Sequence, residues 1–271
     1  MTYRECVKAL MSAGVEDARY DTSVMFCRLF GIQMAALPLI MDKNFESEEL
    51  SLWVSRRTSG EPLQYIIGEW EFYGLTFEVN ENCLCPRGDT ELLVELAIKH
   101  LPNESGFLEL CTGSGCIPVS VCKNRPDVKG TATDLFPKTL EIAKRNADKN
   151  GVPDKIDFVL SDVFDVDRWK DCKFDAIISN PPYIPTKDIE SLSKEVKREP
   201  FAALDGGVDG LDFYRVIIGR YGKYLKKNGI MLLEIGYDQA ESIKAIAADA
   251  GYTCEVYKDL GGNDRAVIVR T

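Results

Sequence analysis

The sequence predicts an α/β fold: a doubly wound, mostly parallel sheet filling roughly the last two-thirds of the chain, behind a small helical domain. Three observations predict it. From residue 106 onward, short apolar runs of strand character alternate with segments of helical spacing. Residues 1 to 66 show helical spacing and no strand pattern. The first run of the alternating region ends in Gly113-Ser114-Gly115, a sharp turn where such sheets hold ligands.

The helical domain, residues 1–66, has three recognisable pieces. Cys6, Val7, Leu10 and Met11 fall at helical spacing between Arg4 and Met11, and Gly14 follows. Asp17 is positioned to cap a second helix that carries Val24, Met25, Cys27 and Leu29 and stops at Gly31. Glu46 to Arg57 places Leu50, Trp53 and Val54 on one face, and Gly60 and Pro62 close it. No chemical constellation appears here; the pieces read as a bundle that packs on itself and holds a partner or substrate. Residues 67–85 read as a β-hairpin linker, because residues 67–73 and 75–79 alternate around Gly74. The sheet domain, residues 86–271, then runs helix 90–100, strand 106–111, helix 115–123, strand 130–134, helix 137–150, strand 156–160, strand 174–179, helix 211–225, strand 230–235, helix 238–250 capped by Asp238, and strands 254–257 and 266–270. Pro137 suits a first helical turn and Gly151 a stop.

Composition narrows the function. The chain has 271 residues, 45% of them hydrophobic, enough for a real core. Nothing approaches an 18-residue apolar run, and residues 1–6 have no signal core, so no membrane association is expected. The nine cysteines form no Cys-x-x-Cys pair, Cys83-x-Cys85 is too tight for zinc, and His100 is the only histidine. No metal site and no Ser-His triad are expected; the cysteines read as reduced, in a cytoplasmic protein. Thirty-three basic against 43 acidic residues give a net charge of −10. That works against stable, sequence-independent nucleic-acid binding and suits a basic or cationic partner.

The candidate site begins where residues 174–179 run into Asn180-Pro181-Pro182-Tyr183. Neither proline has an N–H, and each holds the residue before it extended, so no helix starts there. The Asn180 side-chain oxygen and the Pro181 carbonyl can each accept one N–H of a planar –NH2, and the Tyr183 ring can lie on the face of an amide or base. A plain proline turn is the alternative for a bare Asn-Pro. Upstream, Cys111-Thr112-Gly113-Ser114-Gly115 lets the backbone turn and approach a ligand in front of a helix N-terminus, though a simple tight turn has the same pattern. A dinucleotide fingerprint would want glycine near position 118; the chain has Pro118, which counts against an NAD-dependent oxidoreductase. Asp134 ends the next strand, either accepting both ribose hydroxyls or capping the helix at Pro137. Asp162 follows the third strand and can take an adenine amino group, with Val163 or Phe164 over the ring, or serve only its own loop.

Taken together, these elements fall on the first four strands in turn and resemble the S-adenosylmethionine-dependent methyltransferases, which implies a Rossmann-like class I methyltransferase sheet. Residues 61–68, 85–91, 179–184, 198–200, 203–207, 209–211, 233–236 and 262–265 are similar to the bacterial peptide chain release factor glutamine N5-methyltransferase family. Two departures stand out: Pro86-Arg87-Gly88-Asp89-Thr90-Glu91 where that family usually has Pro-Arg-Pro-Glu-Thr-Glu, and Val163 where it often has an aromatic residue. The resemblance implies methyl transfer from S-adenosyl-L-methionine to the glutamine amide of the release factors' Gly-Gly-Gln loop by a monomeric enzyme. It implies an acceptor site at Asn180, Pro181, Pro182 and Tyr183, and cofactor contacts from residues 111–115, Asp134, Asp162, Val163 and Asn180. The rival expectations are a nucleic-acid adenine N6-methyltransferase, which uses the same acceptor logic on a flipped base, and a non-catalytic S-adenosylmethionine-binding module. Arg198 and Glu199 are expected in surface ion pairs, Glu234 as either a packing or a site-lining group, and residues 185–210 as a lid.

Overall fold

In the computed structural model, which describes residues 1–270, the chain divides into two units: Met1–Glu69 with the short strap Ser193–Arg198, and Trp70–Leu192 with the residues from Glu199 onward. The first unit is helical. Helix α1 (Tyr3–Ser12) opens on a capping box, Thr2 taking the N–H of Glu5 while the Glu5 carboxylate takes the N–H of Thr2. It buries Tyr3, Cys6 and Leu10. Helix α2 (Ala18–Phe30) supplies Phe26, whose ring meets Tyr3, Phe30 and Phe45 edge-on. Helix α3 (Glu48–Thr58) is capped by Ser47 and buries Leu50, Trp53, Val54 and Arg57, a stripe at spacing three, four and seven. Arg57 thus lies on the apolar face, only 3% exposed, and its charge is met there by Asp21 at 2.6 Å, by Glu195 of the strap and by the Glu61 carbonyl. A buried guanidinium requires such company. A further short helix, α4 (Leu63–Ile67), follows Pro62.

A hairpin follows along the chain, β1 (Glu69–Phe72) and β2 (Leu75–Glu78), with all of it from Trp70 onward in the second unit. Its two-residue turn, Tyr73-Gly74, has positive φ at both positions, the hand that matches strand twist. The main sheet is built from β3 (Gly106–Leu110), β4 (Lys129–Asp134), β5 (Ile156–Leu160), β6 (Phe174–Ser179), β7 (Leu225–Glu234), β8 (Thr253–Lys258) and β9 (Asp264–Arg270). Its order is β5-β4-β3-β6-β7-β9-β8, with β9 antiparallel to both neighbours and the other pairs parallel. Its helices are α5 (Glu91–His100), α6 (Cys116–Asn124), α7 (Pro137–Lys149), α8 (Asp212–Tyr221) and α9 (Ala240–Asp249). Along β6, Ala176 and Ile178 enter one hydrophobic core and Ile177 another, so the strand is apolar without alternation.

Several boundaries differ from the sequence expectation. Strand β7 begins at Leu225, not Ile230, because Leu225 pairs with Phe174 before the register shifts and resumes at Ala176–Ile230. Asp238 does not cap α9. The cap position is Gln239, whose side chain instead accepts the Gly236 N–H and donates to the carbonyls of Tyr183 and Gly210. Pro118 sits in the first turn of α6, where its missing N–H costs nothing.

Candidate active site

The strand order reverses between β3 and β6, and doubly wound sheets bind ligands at such a point, beyond the strand C-termini. Leu110 pairs with Ser179, and the Ser179 hydroxyl donates to the Leu110 carbonyl at 2.8 Å. Cys111 and Asn180, the next residues, therefore emerge side by side. A cleft opens there, walled by Cys111, Gly113, Asp134, Asp162, Val163, Phe164, Asn180 and Pro182 of the expected residues. The other expected residues, Thr112, Ser114, Gly115, Pro181 and Tyr183, do not form its wall.

The glycine turn has a distinct task for each residue. Cys111 takes a left-handed φ of 60°, uncommon for a side chain with a Cβ, and so swings the chain off β3. Thr112 is buried, donating its hydroxyl to Glu109 and its N–H to the Thr133 carbonyl. Gly113 has φ of 56° and open space where a Cβ would stand, on the cleft side. The Ser114 carbonyl accepts the Asn146 amide from α7. Gly115 starts α6 with φ of 78°, and a Cβ there would meet Ala143 at 3.0 Å, so this glycine brings α6 against α7.

Both candidate acids serve the backbone and keep capacity for a ligand. Asp134 accepts the Gly113 N–H at 3.0 Å and the Phe136 N–H at 3.2 Å, one on each oxygen. Burial pushes its pKa up, against the pull of those N–H groups. Asp162 accepts the Phe164 N–H at 2.8 Å. A carboxylate oxygen has two lone pairs, so each of these acids can still take a hydroxyl or amino donor. Val163 is buried and turns its carbonyl to the Tyr221 hydroxyl.

Pro181 and Pro182 are buried, Pro182 on the cleft wall, and Asn180 and Tyr183 are half-buried. Asn180 donates its amide to Thr90 Oγ1 at 3.3 Å. Burial raises the Tyr183 phenol to about 12, so it stays protonated at neutral pH. The chain after Tyr183 is tied by reciprocal bonds of Ile184 with Leu204 and Gly206.

Sequence reasoning missed several groups. Leu135, Phe136 and Phe213 give the cleft its apolar wall, as do Pro200 and Ala203; the apolar pair Leu135-Phe136 directly after Asp134 was the available signal. Glu199 is not in a surface pair: it is 5% exposed, accepts the Cys85 N–H at 3.0 Å and binds Arg87. Arg198 is exposed and donates to the Ser59 carbonyl within the first unit. Among the described residues no cluster of side chains suited to a metal ion occurs, no helix is long and apolar enough to cross a membrane, and none of the nine cysteines is paired.

A seven-stranded sheet of this order, with its cleft at the reversal, is the methyltransferase fold. The ribosomal protein L11 methylase of Lactobacillus delbrueckii subsp. bulgaricus shares it, with a TM-score of 0.51 over 70% of this chain and 82% of that one at 18% identity. The family described as methyltransferase small domain matches residues 88–203, and the PrmC N-terminal domain matches residues 2–68. The release factor glutamine methyltransferase of Geobacter sulfurreducens is 40% identical over 263 residues, 95% of this chain and 91% of its own length. That of Aquifex aeolicus is 35% identical over 270 residues, 97% and 95% of the two chains. The chain belongs to the release factor glutamine methyltransferase family.

Proposed function

We propose that this protein transfers the methyl group of S-adenosyl-L-methionine to the side-chain amide nitrogen (N5) of the glutamine in the Gly-Gly-Gln motif of peptide chain release factors. The observation that carries this reading is the placement of Asn180 on the wall of the same cleft as Gly113, Asp134 and Asp162. The family membership is consistent with it. The cleft residues fit the cofactor. Gly113 leaves open space beside the backbone, Asp134 has lone pairs for ribose hydroxyls, and Asp162 with Val163 suits the edge and face of adenine. When bound, the cofactor supplies an electrophilic methyl on a sulfonium sulfur.

The acceptor is a poor nucleophile, because an amide lone pair is delocalised into its carbonyl. The site answers with position rather than with a strong base. Asn180 Oδ1 and the Pro181 carbonyl accept the two amide N–H bonds and aim the nitrogen, and Pro182 stiffens the row. The Tyr183 ring packs on the amide plane. The proton lost after transfer leaves to water. The helical residues 1–66 serve to hold the release factor, residues 67–85 link them to the catalytic domain 86–271, and the partner places the enzyme in the cytoplasm.

Intact-protein and peptide mass spectrometry of a purified bacterial release factor, incubated with this protein and S-adenosylmethionine, tests the reading. One added methyl on the Gly-Gly-Gln glutamine is expected. No methyl, with cofactor binding confirmed in the same tube, overturns it.

A further inference from the structure

Asn180 can serve the proposed reaction in only one of its two amide orientations. Oδ1 toward the acceptor takes an N–H; Nδ2 there would set donor against donor. The two orientations have nearly the same shape, so sterics choose weakly between them. The choice falls to the polar groups behind the amide.

Those groups are Thr90 and Glu234. Ser179 pairs with Leu233, so Asn180 and Glu234 leave β6 and β7 as neighbours. On the far side Glu234 pairs with Ala266 of β9. Glu234 and Thr90 are each 2% exposed. Asn180 Nδ2 donates to Thr90 Oγ1 at 3.3 Å, which leaves the Thr90 proton free for the carboxylate, and the Thr90 and Asn180 side chains both favour the ionised form of Glu234. Glu234 Oε2 has no partner among the described residues. A buried carboxyl with one oxygen uncompensated is poised between its charged and neutral forms.

We propose that Glu234 is a positioning residue whose ionised carboxylate, acting through Thr90, holds the Asn180 amide with Oδ1 toward the acceptor, and that a proton on Glu234 releases that hold and switches methyl transfer off. The proposal rests on the amide-gripping role given to Asn180 above. An ionised Glu234 only accepts. It takes the Thr90 proton, so the Thr90 oxygen must receive from Asn180 Nδ2. A protonated Glu234 donates. The Thr90 oxygen can then receive from the carboxyl and give its own proton to Asn180 Oδ1, which turns Nδ2 to the acceptor.

Every packed element contributes a group to the balance. Arg265 of β9 favours the ionised carboxylate, but its own charge is shared with Asp89 and Asp259, each at 3.2 Å. Asp89, in the turn before α5, opposes ionisation. The Tyr183 phenol and the Cys116 thiol of α6 face it uncharged, as does the Tyr214 phenol of α8, which donates to the Glu234 backbone carbonyl at 2.8 Å. Burial outweighs these groups and lifts the carboxyl to about 7. Both forms are therefore populated near neutral pH.

Two measurements test this. In wild-type protein carrying 15N-asparagine, the Asn180 side-chain NH2 signal, identified by its loss in N180A, should titrate with a midpoint near that value. In single-turnover methylation of a release factor from about pH 5.5 to about pH 8.5, the wild-type rate should fall about tenfold per unit below the midpoint, while E234Q varies less than about twofold. An Asn180 signal that does not titrate in the wild type overturns the proposal, and so does an E234Q rate that keeps the wild-type pH limb. If E234Q fails to fold, the wild-type spectrum still decides. A titrating Asn180 signal in a protein that methylates no release factor at any pH would keep the switch and reject the substrate.

Discussion

Asn180→Ala removes one of two acceptors for the incoming amide while leaving Pro181 and Pro182 in place. On the scale of one fixed polar group at a reacting centre, the loss is about 2–3 kcal/mol of transition-state stabilisation. The expected result is a drop of roughly 30- to 150-fold in single-turnover rate; near-full turnover would remove Asn180 from the mechanism. The two glycines of the turn separate in a different measurement. Gly113→Ala meets no atom within 4 Å and bears only the strain of positive φ, about 1–2 kcal/mol. Gly115→Ala bears that strain and also presses a methyl on Ala143, for a total of about 2–4 kcal/mol. Urea unfolding of the two variants should rank Gly115→Ala clearly below Gly113→Ala. This difference was not legible in the sequence, where Gly113-Ser114-Gly115 is one motif; which glycine lines the cleft and which packs on α7 depends on Ala143, 28 residues beyond Gly115. Asn180-Pro181-Pro182-Tyr183 was legible because its constraint is local: two prolines limit the backbone whatever surrounds them.

At the scale of elements, the end of β3 carries a pH dependence of stability. Glu109 is fully buried, and burial holds its carboxyl well above the ordinary range although the Thr112 hydroxyl pulls the other way. With the folded value above the unfolded one, its favourable contribution is complete below the unfolded value and is lost as pH rises toward the folded value. Glu109 should lower the unfolding free energy by up to about 1.4 kcal/mol per pH unit above the ordinary glutamate value, and Glu109→Gln should make the slope shallower by that share, the raised Glu234 and Asp134 carboxyls keeping theirs. Urea titrations of both proteins across pH give the comparison, and parallel curves would refute it. The segment from Pro185 to Gly210 supplies the second element. Its base is tied by Ile184 to Leu204 and Gly206, and Pro200, Ala202 and Ala203 stand on the cleft wall. Filling the cleft should order the segment, so S-adenosylmethionine should slow trypsin cleavage at the exposed Lys187; equal cleavage would deny it a lid role. Strand β6 was legible because its centre, Ala176-Ile177-Ile178, is the uninterrupted apolar run of a buried parallel strand. The first half of β7 was not, since Lys226-Lys227-Asn228-Gly229 reads as a loop and lies between the Leu225–Phe174 pair and the register that resumes at Ile230. The Asp238 cap failed for a similar reason: Gln239 is committed to Gly236, Tyr183 and Gly210.

For the whole molecule, a doubly wound sheet with ligands at its strand C-termini follows from strand–helix alternation, which any reading of hydrophobic period detects, while the strand order is seen only in the fold. The partner is a matter of charge. A net charge of −10 opposes the phosphate backbone, whose affinity for proteins comes chiefly from Lys and Arg displacing counterions. An adenine N6-methyltransferase would share the Asn180 acceptor logic and would still have to hold its nucleic acid before flipping a base. Fold and acceptor motif cannot separate these substrates, but binding can. At low salt, where electrostatic attraction to DNA or RNA is strongest, gel shifts with either should show no retarded band up to micromolar protein. Methylation of the release factor under the same conditions should proceed without competition from added nucleic acid. A retarded band that weakens steeply with salt, together with loss of release-factor methylation on adding the nucleic acid, would shift the substrate assignment from a glutamine amide to a base while leaving the roles of Gly113, Asp134 and Asp162 unchanged.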